Sequence, residues 1–240
     1  MADGPEVRRS GELSFLTWNL ALLERPSTAS PAWSQSHTEA AVREVVLDRK
    51  PDLVLFQELP GLVPFVETHA MVPANPRSHS GNLATLVRHD LMATEPATQS
   101  VGGFAIATTF EQWDLTVANV HLAPGRGGAD ERLVQLSQVI ESIGTSRLVV
   151  VGDTNTRLDE ADDLVSLGLT TERPPQPTWD SRRNRFRDDS PEFTAYFTRW
   201  FAGGDVAIDD VTVWHEPVDF QGERLQLSDH YALSATIRIG

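Results

Sequence analysis

The sequence predicts an α/β fold whose sheet is mixed rather than all parallel, and three observations carry the prediction. Residues 52–57 (DLVLFQ) and 147–151 (RLVVV) are short, nearly continuous apolar runs, as in strands buried on both faces. Residues 38–50 and 131–143 repeat apolar side chains at helical spacing. Residues 104–110 and 113–121 are two extended-type runs close enough to form a hairpin, which an all-parallel sheet does not contain.

Taken in order, the chain opens with a polar stretch, 1–12, expected to be a flexible tail before a single domain over 13–240. Residues 13–19 (LSFLTWN) read as the first strand. A Pro/Ser-rich loop, 25–36, leads into the first helix. Ser36 and Glu39 have capping-box spacing, Ala41, Val42, Val45 and Val46 form one apolar face, and Pro51 stops it. After the 52–57 strand comes a second Pro/Ser-rich loop, 72–80, then a strand over 83–88. The 131–143 helix places Leu133, Leu136, Val139, Ile140 and Ile143 on one side. A short helix is expected over 160–167, with Gly168 as its stop. Residues 170–191 form a long loop of functional type, and 193–200, 206–213 and 231–239 are the remaining strands.

The 240 residues are enough for one large domain with a real core. Hydrophobic residues are 40% and charged residues 22%, which is ordinary for a soluble protein, and no apolar run is long enough for a membrane span. Cysteine is absent, which removes disulfides, thiolate ligands and thiolate nucleophiles. The N-terminus has no apolar signal core, so a cytoplasmic location is expected, with a secreted form after signal removal as the alternative. A net charge of −14 argues against a broad basic nucleic-acid surface. It does not exclude a nuclease, because a bound divalent ion inverts the field at an acidic site.

The informative pattern is what ends the strands. Asn19 closes the first, Glu58 follows the second, His121 ends another, and Gly152, Asp153 and Asn155 follow 147–151. Asp209 lies within 206–213, and Ser228, Asp229 and His230 precede the last strand. Strand ends are rigid and open onto a common edge, so such side chains can converge. Each has a plainer reading alone: a turn cap for Asn19, a solvated turn residue for Glu58, a core histidine for His121, an Asx turn for Asp153 and Asn155. Surface charge suits Asp209 and Asp229, and a structural partner role suits His230. Together, carboxylates and amides suit a hard cation such as Mg²⁺ or Mn²⁺, and two imidazoles add acid/base or charge-stabilising capacity. That combination fits hydrolysis at phosphorus.

The motifs Thr17-Trp18-Asn19, Gln57-Glu58, Asn119-Val120-His121-Leu122, Gly152-Asp153-Thr154-Asn155, Ile208-Asp209 and Ser228-Asp229-His230, in this order, resemble the endonuclease/exonuclease/phosphatase superfamily, over about residues 13–239. The resemblance implies a four-layer sandwich of two mixed β-sheets flanked by α-helices, with the site at one edge. It implies that Glu58 is the principal metal ligand, with Asn19 nearby as metal ligand or hydrogen-bond donor to the phosphate, and Asp229 joining the metal site. Asp153 would orient or deprotonate water, helped by Asn155. His230 would contact the scissile phosphate, oriented by Asp209, and His121 occupies the slot of a histidine near the leaving group. Two positions depart from the family pattern: Ala21 stands where some members have an acidic residue, and Thr154 where Phe is common.

The substrate is expected to be a phosphoester, either nucleic acid, a phospholipid headgroup or a small molecule, and the protein a monomer. Trp179 and Arg182, followed by Arg183, Arg185 and Arg187, form the one concentrated positive stretch. It reads as a phosphate clamp with a stacking ring, or as a solvated loop balanced by Asp180, Asp188 and Asp189. Asn82 is similar to a family position that contacts substrate. The alternative to an enzyme is a catalytically silent binding module, which need not bind metal at Glu58.

Overall fold

A computed structural model describes residues 11–61, 67–72, 82–92, 94–144, 146–157, 160, 164–188 and 191–240. In chain order the strands are β1 (Gly11–Asn19), β2 (Leu53–Gln57), β3 (His69–Val72), β4 (Ala84–Arg88), β5 (Ala97–Val101), β6 (Ala105–Phe110), β7 (Leu115–His121) and β8 (Leu148–Asp153). They continue with β9 (Trp179–Asp180), β10 (Thr194–Ala195), β11 (Thr198–Gly203), β12 (Val206–Trp214), β13 (Val218–Phe220), β14 (Glu223–Leu225) and β15 (Ala232–Ile239). Among the described residues the two long α-helices are α1 (Gln35–Arg49) and α2 (Ala129–Ile143).

Two mixed sheets carry the architecture. One has the order β12-β15-β1-β2-β4-β3, the other β11-β8-β7-β6-β5. Each contains one parallel pair, β1 with β2 and β7 with β8, among antiparallel neighbours. The sheets pack face to face through Leu13, Phe15, Leu53 and Leu55 from one and Leu115, Val117, Val149 and Val151 from the other. The opposite faces are covered too. Leu16, Val54 and Phe56 pack with Val42 and Val46 of α1, and Ala118, Val120 and Val150 pack with Leu136 and Val139 of α2. Helix, sheet, sheet, helix is the expected four-layer sandwich, and burial on both faces explains why β2 and β8 are apolar throughout.

Local detail differs from the sequence reading at several points. The cap of α1 is Ser34, not Ser36, with His37 rather than a glutamate answering the cap backbone: Ser34 N donates to His37 Nδ1 at 3.1 Å. Gly11 and Glu12 open β1, and Gly152 and Asp153 belong to β8. Residues 193–200 do not form one strand. They divide into β10 and the start of β11, because Thr178 claims the chain between them: its N donates to Ala195 O at 3.0 Å and its hydroxyl accepts from Thr198 N at 2.9 Å. Residues 1–10, residues 73–80 and, within the expected 160–167 helix, residues 161–163 lie outside the described residues.

Candidate active site

Side chains alternate along a strand, so the residues that end β1, β7 and β8 follow the same inward face as the core residues before them. On β1 that face runs Leu13, Phe15, Thr17, Asn19; on β8 it runs Val149, Val151, Asp153; on β7 it ends in Asn119 and His121. The inter-sheet core therefore turns polar at one end. The parallel registers align those ends: Asn19 pairs with Gln57, directly before Glu58, and His121 pairs with Asp153.

Asn19 joins the two sheets. Its Nδ2 donates to Glu58 Oε1 and to Asp153 Oδ2, both at 2.9 Å, while its Oδ1 accepts from Ala21 N at 2.9 Å. His121 Nε2 lies 3.6 Å from Glu58 Oε1 and 3.5 Å from Asp153 Oδ2. His230 Nε2 approaches the same Asp153 oxygen at 3.7 Å. Among the described residues, Glu58, His121 and Asp153 offer ligand atoms all within 4.8 Å of one another. Two carboxylates this close, with Asp153 only 2% exposed and no Lys or Arg paired to either among the described residues, repel each other unless a cation sits between them. Oxygen donors with one imidazole and no thiolate fit a hard divalent ion.

The layer beneath holds these groups still. Gln57 Nε2 donates to Asn119 Oδ1 at 2.7 Å, and Asn119 Nδ2 donates to the carbonyls of Phe56 and Ala84, each at 3.0 Å. Gly152 has φ +146°, and a Cβ there would stand 2.2 Å from Val120 O, so only glycine lets β8 close on β7 just before Asp153. Asn155 sits at φ +52°; its N donates to Asp153 Oδ1 at 3.1 Å and its Nδ2 to Leu122 O at 3.1 Å. Ser228 Oγ donates to Asn19 O at 2.6 Å and accepts from His230 N at 3.1 Å, while Trp18 Nε1 donates to His230 O at 3.0 Å. The His230 loop is thereby tied to the end of β1. The ring of His230 meets Trp179 edge-on at 4.9 Å and Phe197 at 6.1 Å.

The structure thus brings together Asn19, Glu58, His121, Asp153, Asn155 and His230, with Trp179 against His230. Asp209 is a correction. It lies on β12, 48% exposed, with Oδ2 2.9 Å from Arg238 Nε. The antiparallel β12–β15 register sets it opposite Thr236, which is six residues past His230 and so about 20 Å further along the strand. It cannot orient His230, whose Nδ1 is buried without a partner among the described residues. The residue opposite Asp153 is Thr198, fully buried, its hydroxyl also without a partner.

Asp229 is a second correction. Its Oδ2 accepts from Arg187 Nε at 3.0 Å and its Oδ1 accepts from Ser228 Oγ at 3.4 Å, with the side chain 14% exposed. It is not part of the metal-capable group. Arg182 is exposed, with its backbone N donating to Asp180 Oδ1 at 3.1 Å. Trp179 stacks on Phe193 at 5.8 Å. Asn82, exposed at φ +54°, accepts from Leu59 N at 2.8 Å and so borders the Glu58 turn. Sequence reasoning missed Phe197 and the structural work of Gln57, Asn119 and Ser228; the last three lie inside quoted motifs, which was the available signal.

Two packed mixed sheets with carboxylates, amides and histidines gathered at one edge define the class: an α/β sandwich built around a polar, metal-capable edge site. The family follows from comparison. Residues 16–230 match the model of the Endonuclease/Exonuclease/phosphatase family, and the chain belongs to that family. Solved structures share the fold. TDP2 from C. elegans superposes with a TM-score of 0.71 at 18% identity, covering 94% of this chain and 75% of that one. D. rerio TDP2, complexed with single strand DNA product, gives 0.70 at 18%, covering 94% and 98%. Beta toxin 275-280 from Staphylococcus aureus gives 0.69 at 16%, covering 93% and 99%. No curated protein sequence matches the chain. No helix among the described residues is long and apolar enough to cross a membrane.

Proposed function

We propose that the protein is a divalent-metal-dependent hydrolase that cleaves a phosphodiester bond. The observation that carries this reading is the Asn19 bridge, which holds Glu58 and Asp153 together with His121 and His230 around them. Glu58, Asp153 and His121 would hold Mg²⁺ or Mn²⁺, which supplies neutralisation of charge on the phosphoryl oxygens.

The remaining chemistry belongs to the chain. Asp153, fixed by Asn19 and by the Asn155 backbone, accepts a hydrogen bond from the attacking water and draws its proton. His230 Nε2, on the same side of Asp153, donates to a phosphoryl oxygen and stabilises charge as the transition state forms. The Trp179, Phe193 and Phe197 rings exclude water from the His230 face, which strengthens its hydrogen bonds.

A DNA oligonucleotide is the first substrate to test beside bis(p-nitrophenyl) phosphate, since one similar structure is complexed with single strand DNA product. Hydrolysis is expected with Mg²⁺ or Mn²⁺ and not in excess chelator. Glu58→Ala and His230→Ala are each expected to lose at least about a hundredfold in kcat. Full turnover in chelator, or in both variants, sinks the proposal.

A further inference from the structure

We infer that a cavity beside Tyr196 and Phe197 is a subsite for a second, non-scissile phosphate of the substrate, lined by arginines and separate from the edge that holds Glu58 and Asp153. The inference rests on the phosphodiesterase reading above.

The cavity has a volume of about 230 Å³ and is lined by Thr156, Arg157, Arg173, Thr194, Tyr196 and Phe197 among others. It adjoins the site through two links. Thr156 directly follows Asn155, and Phe197, whose ring lies 6.1 Å from that of His230, accepts from Thr154 N at 2.9 Å. One side of Phe197 thus faces the catalytic histidine, while the residue also lines the cavity.

Three guanidinium groups surround Tyr196 and Phe197. Arg157 lies over the Phe197 ring at 5.2 Å, and Arg173 over the Tyr196 ring at 4.0 Å while donating to its hydroxyl. Arg199, 2% exposed, donates its Nε to Tyr196 O at 2.9 Å. Among the described residues its Nη2 is buried without a partner, and so is Arg157 Nε. Among the described residues none of the three forms an ion pair, whereas Arg132, Arg147, Arg187, Arg224 and Arg238 all do. The nearby Glu160 already has both oxygens engaged by Arg132. Arg199 is a buried cation with no ion pair among the described residues, which is costly, and Arg157 and Arg173, half-buried and exposed, line the cavity beside it in a chain of net charge −14. An anion relieves that cost, and the planar fork of arginine matches phosphate oxygens two at a time. Since the cavity adjoins the catalytic loop, the phosphate it takes belongs to the molecule being cleaved.

Two measurements test this. In the first, the p-nitrophenyl ester of thymidine 5′-phosphate is compared with the same ester carrying a 3′-phosphate. The wild type is expected to show a KM about tenfold lower for the phosphorylated ester. In an Arg157→Gln/Arg173→Gln double variant, shown to be folded by circular dichroism, that ratio falls to about one. Equal KM values in the wild type, or a preference that survives in the variant, overturn the subsite. In the second, pyrophosphate and inorganic phosphate are titrated calorimetrically in chelator. Binding by the wild type that the double variant loses is expected; no binding, or binding unchanged in the variant, overturns it. Phosphate binding without any preference between the esters means that free phosphate is the ligand, and it overturns the substrate assignment. If neither ester is cleaved, the phosphodiesterase reading has failed, and the calorimetry still decides whether the arginines take a phosphate anion.

Discussion

Gly152 shows how strictly single positions set this site. Its φ of +146° and the 2.2 Å approach of a would-be Cβ to Val120 O leave no room for any other residue. Gly152→Ala is expected to cost about 3 kcal/mol and to displace Asp153. A thermal melt unchanged from the wild type would refute the close contact. At this scale most of the site was legible in the sequence, because Asn19, Glu58, His121, Asp153, Asn155 and His230 are chemically distinctive residues at the ends of apolar runs. Asp209 was not. Its neighbours suggested a motif, but its position depends on strand register, which a local pattern does not contain. Asp229 failed for another reason: the partner that engages it, Arg187, lies 42 residues away in the chain, which a three-residue motif does not contain. The arginines around Tyr196 and Phe197, Arg157, Arg173 and Arg199, are dispersed along the chain, and nothing local marked them as one group.

Elements were legible where burial or periodicity was strong. β1, β2, β7, β8, β15 and both helices fall within a few residues of expectation. β5 (ATQSV) was not seen: as an edge strand with one buried residue it carries no apolar signature. The short hairpin of β13 and β14 likewise lacks length. At the start of α2, the ion pair of Arg132 with Glu160 holds the loop after β8 in place. Arg132 is fully buried, donates to Glu160 at 2.8 and 2.6 Å, and also donates to Ala123 O at 2.7 Å and Gly125 O at 2.9 Å. Glu160→Gln leaves that charge buried and unbalanced, with an expected loss of about 3 kcal/mol in urea unfolding. A loss below about 1 kcal/mol would show that Arg132 is held by the two carbonyls alone.

For the molecule as a whole, stability should depend on pH through a group far from the chemistry. His69 on β3 is buried, with Nε2 2.8 Å from Pro51 O and Nδ1 2.8 Å from Thr68 Oγ1. Burial holds its imidazole below the ordinary 6.5, against a smaller opposing effect of the Pro51 carbonyl. Below that value the unfolded chain binds a proton that the folded chain resists, so this contribution is full above pH 6.5 and lost as pH falls. Urea midpoints between pH 7.5 and 5 should decline, and His69→Gln should flatten that part of the decline. An identical slope in the variant would remove His69 as the cause.

β15 lies between β1 and β12, and its Ile239 pairs with Gly11 at the opposite end of the described chain. A refolding chain must therefore close its longest loop before His230 can meet Asn19 and Asp153, and long closures come late and slowly. Collapse and helix formation can precede it without producing a single turnover. Under the proposed function, recovered hydrolysis would then mark the last step of renaturation, so that activity would report completed assembly.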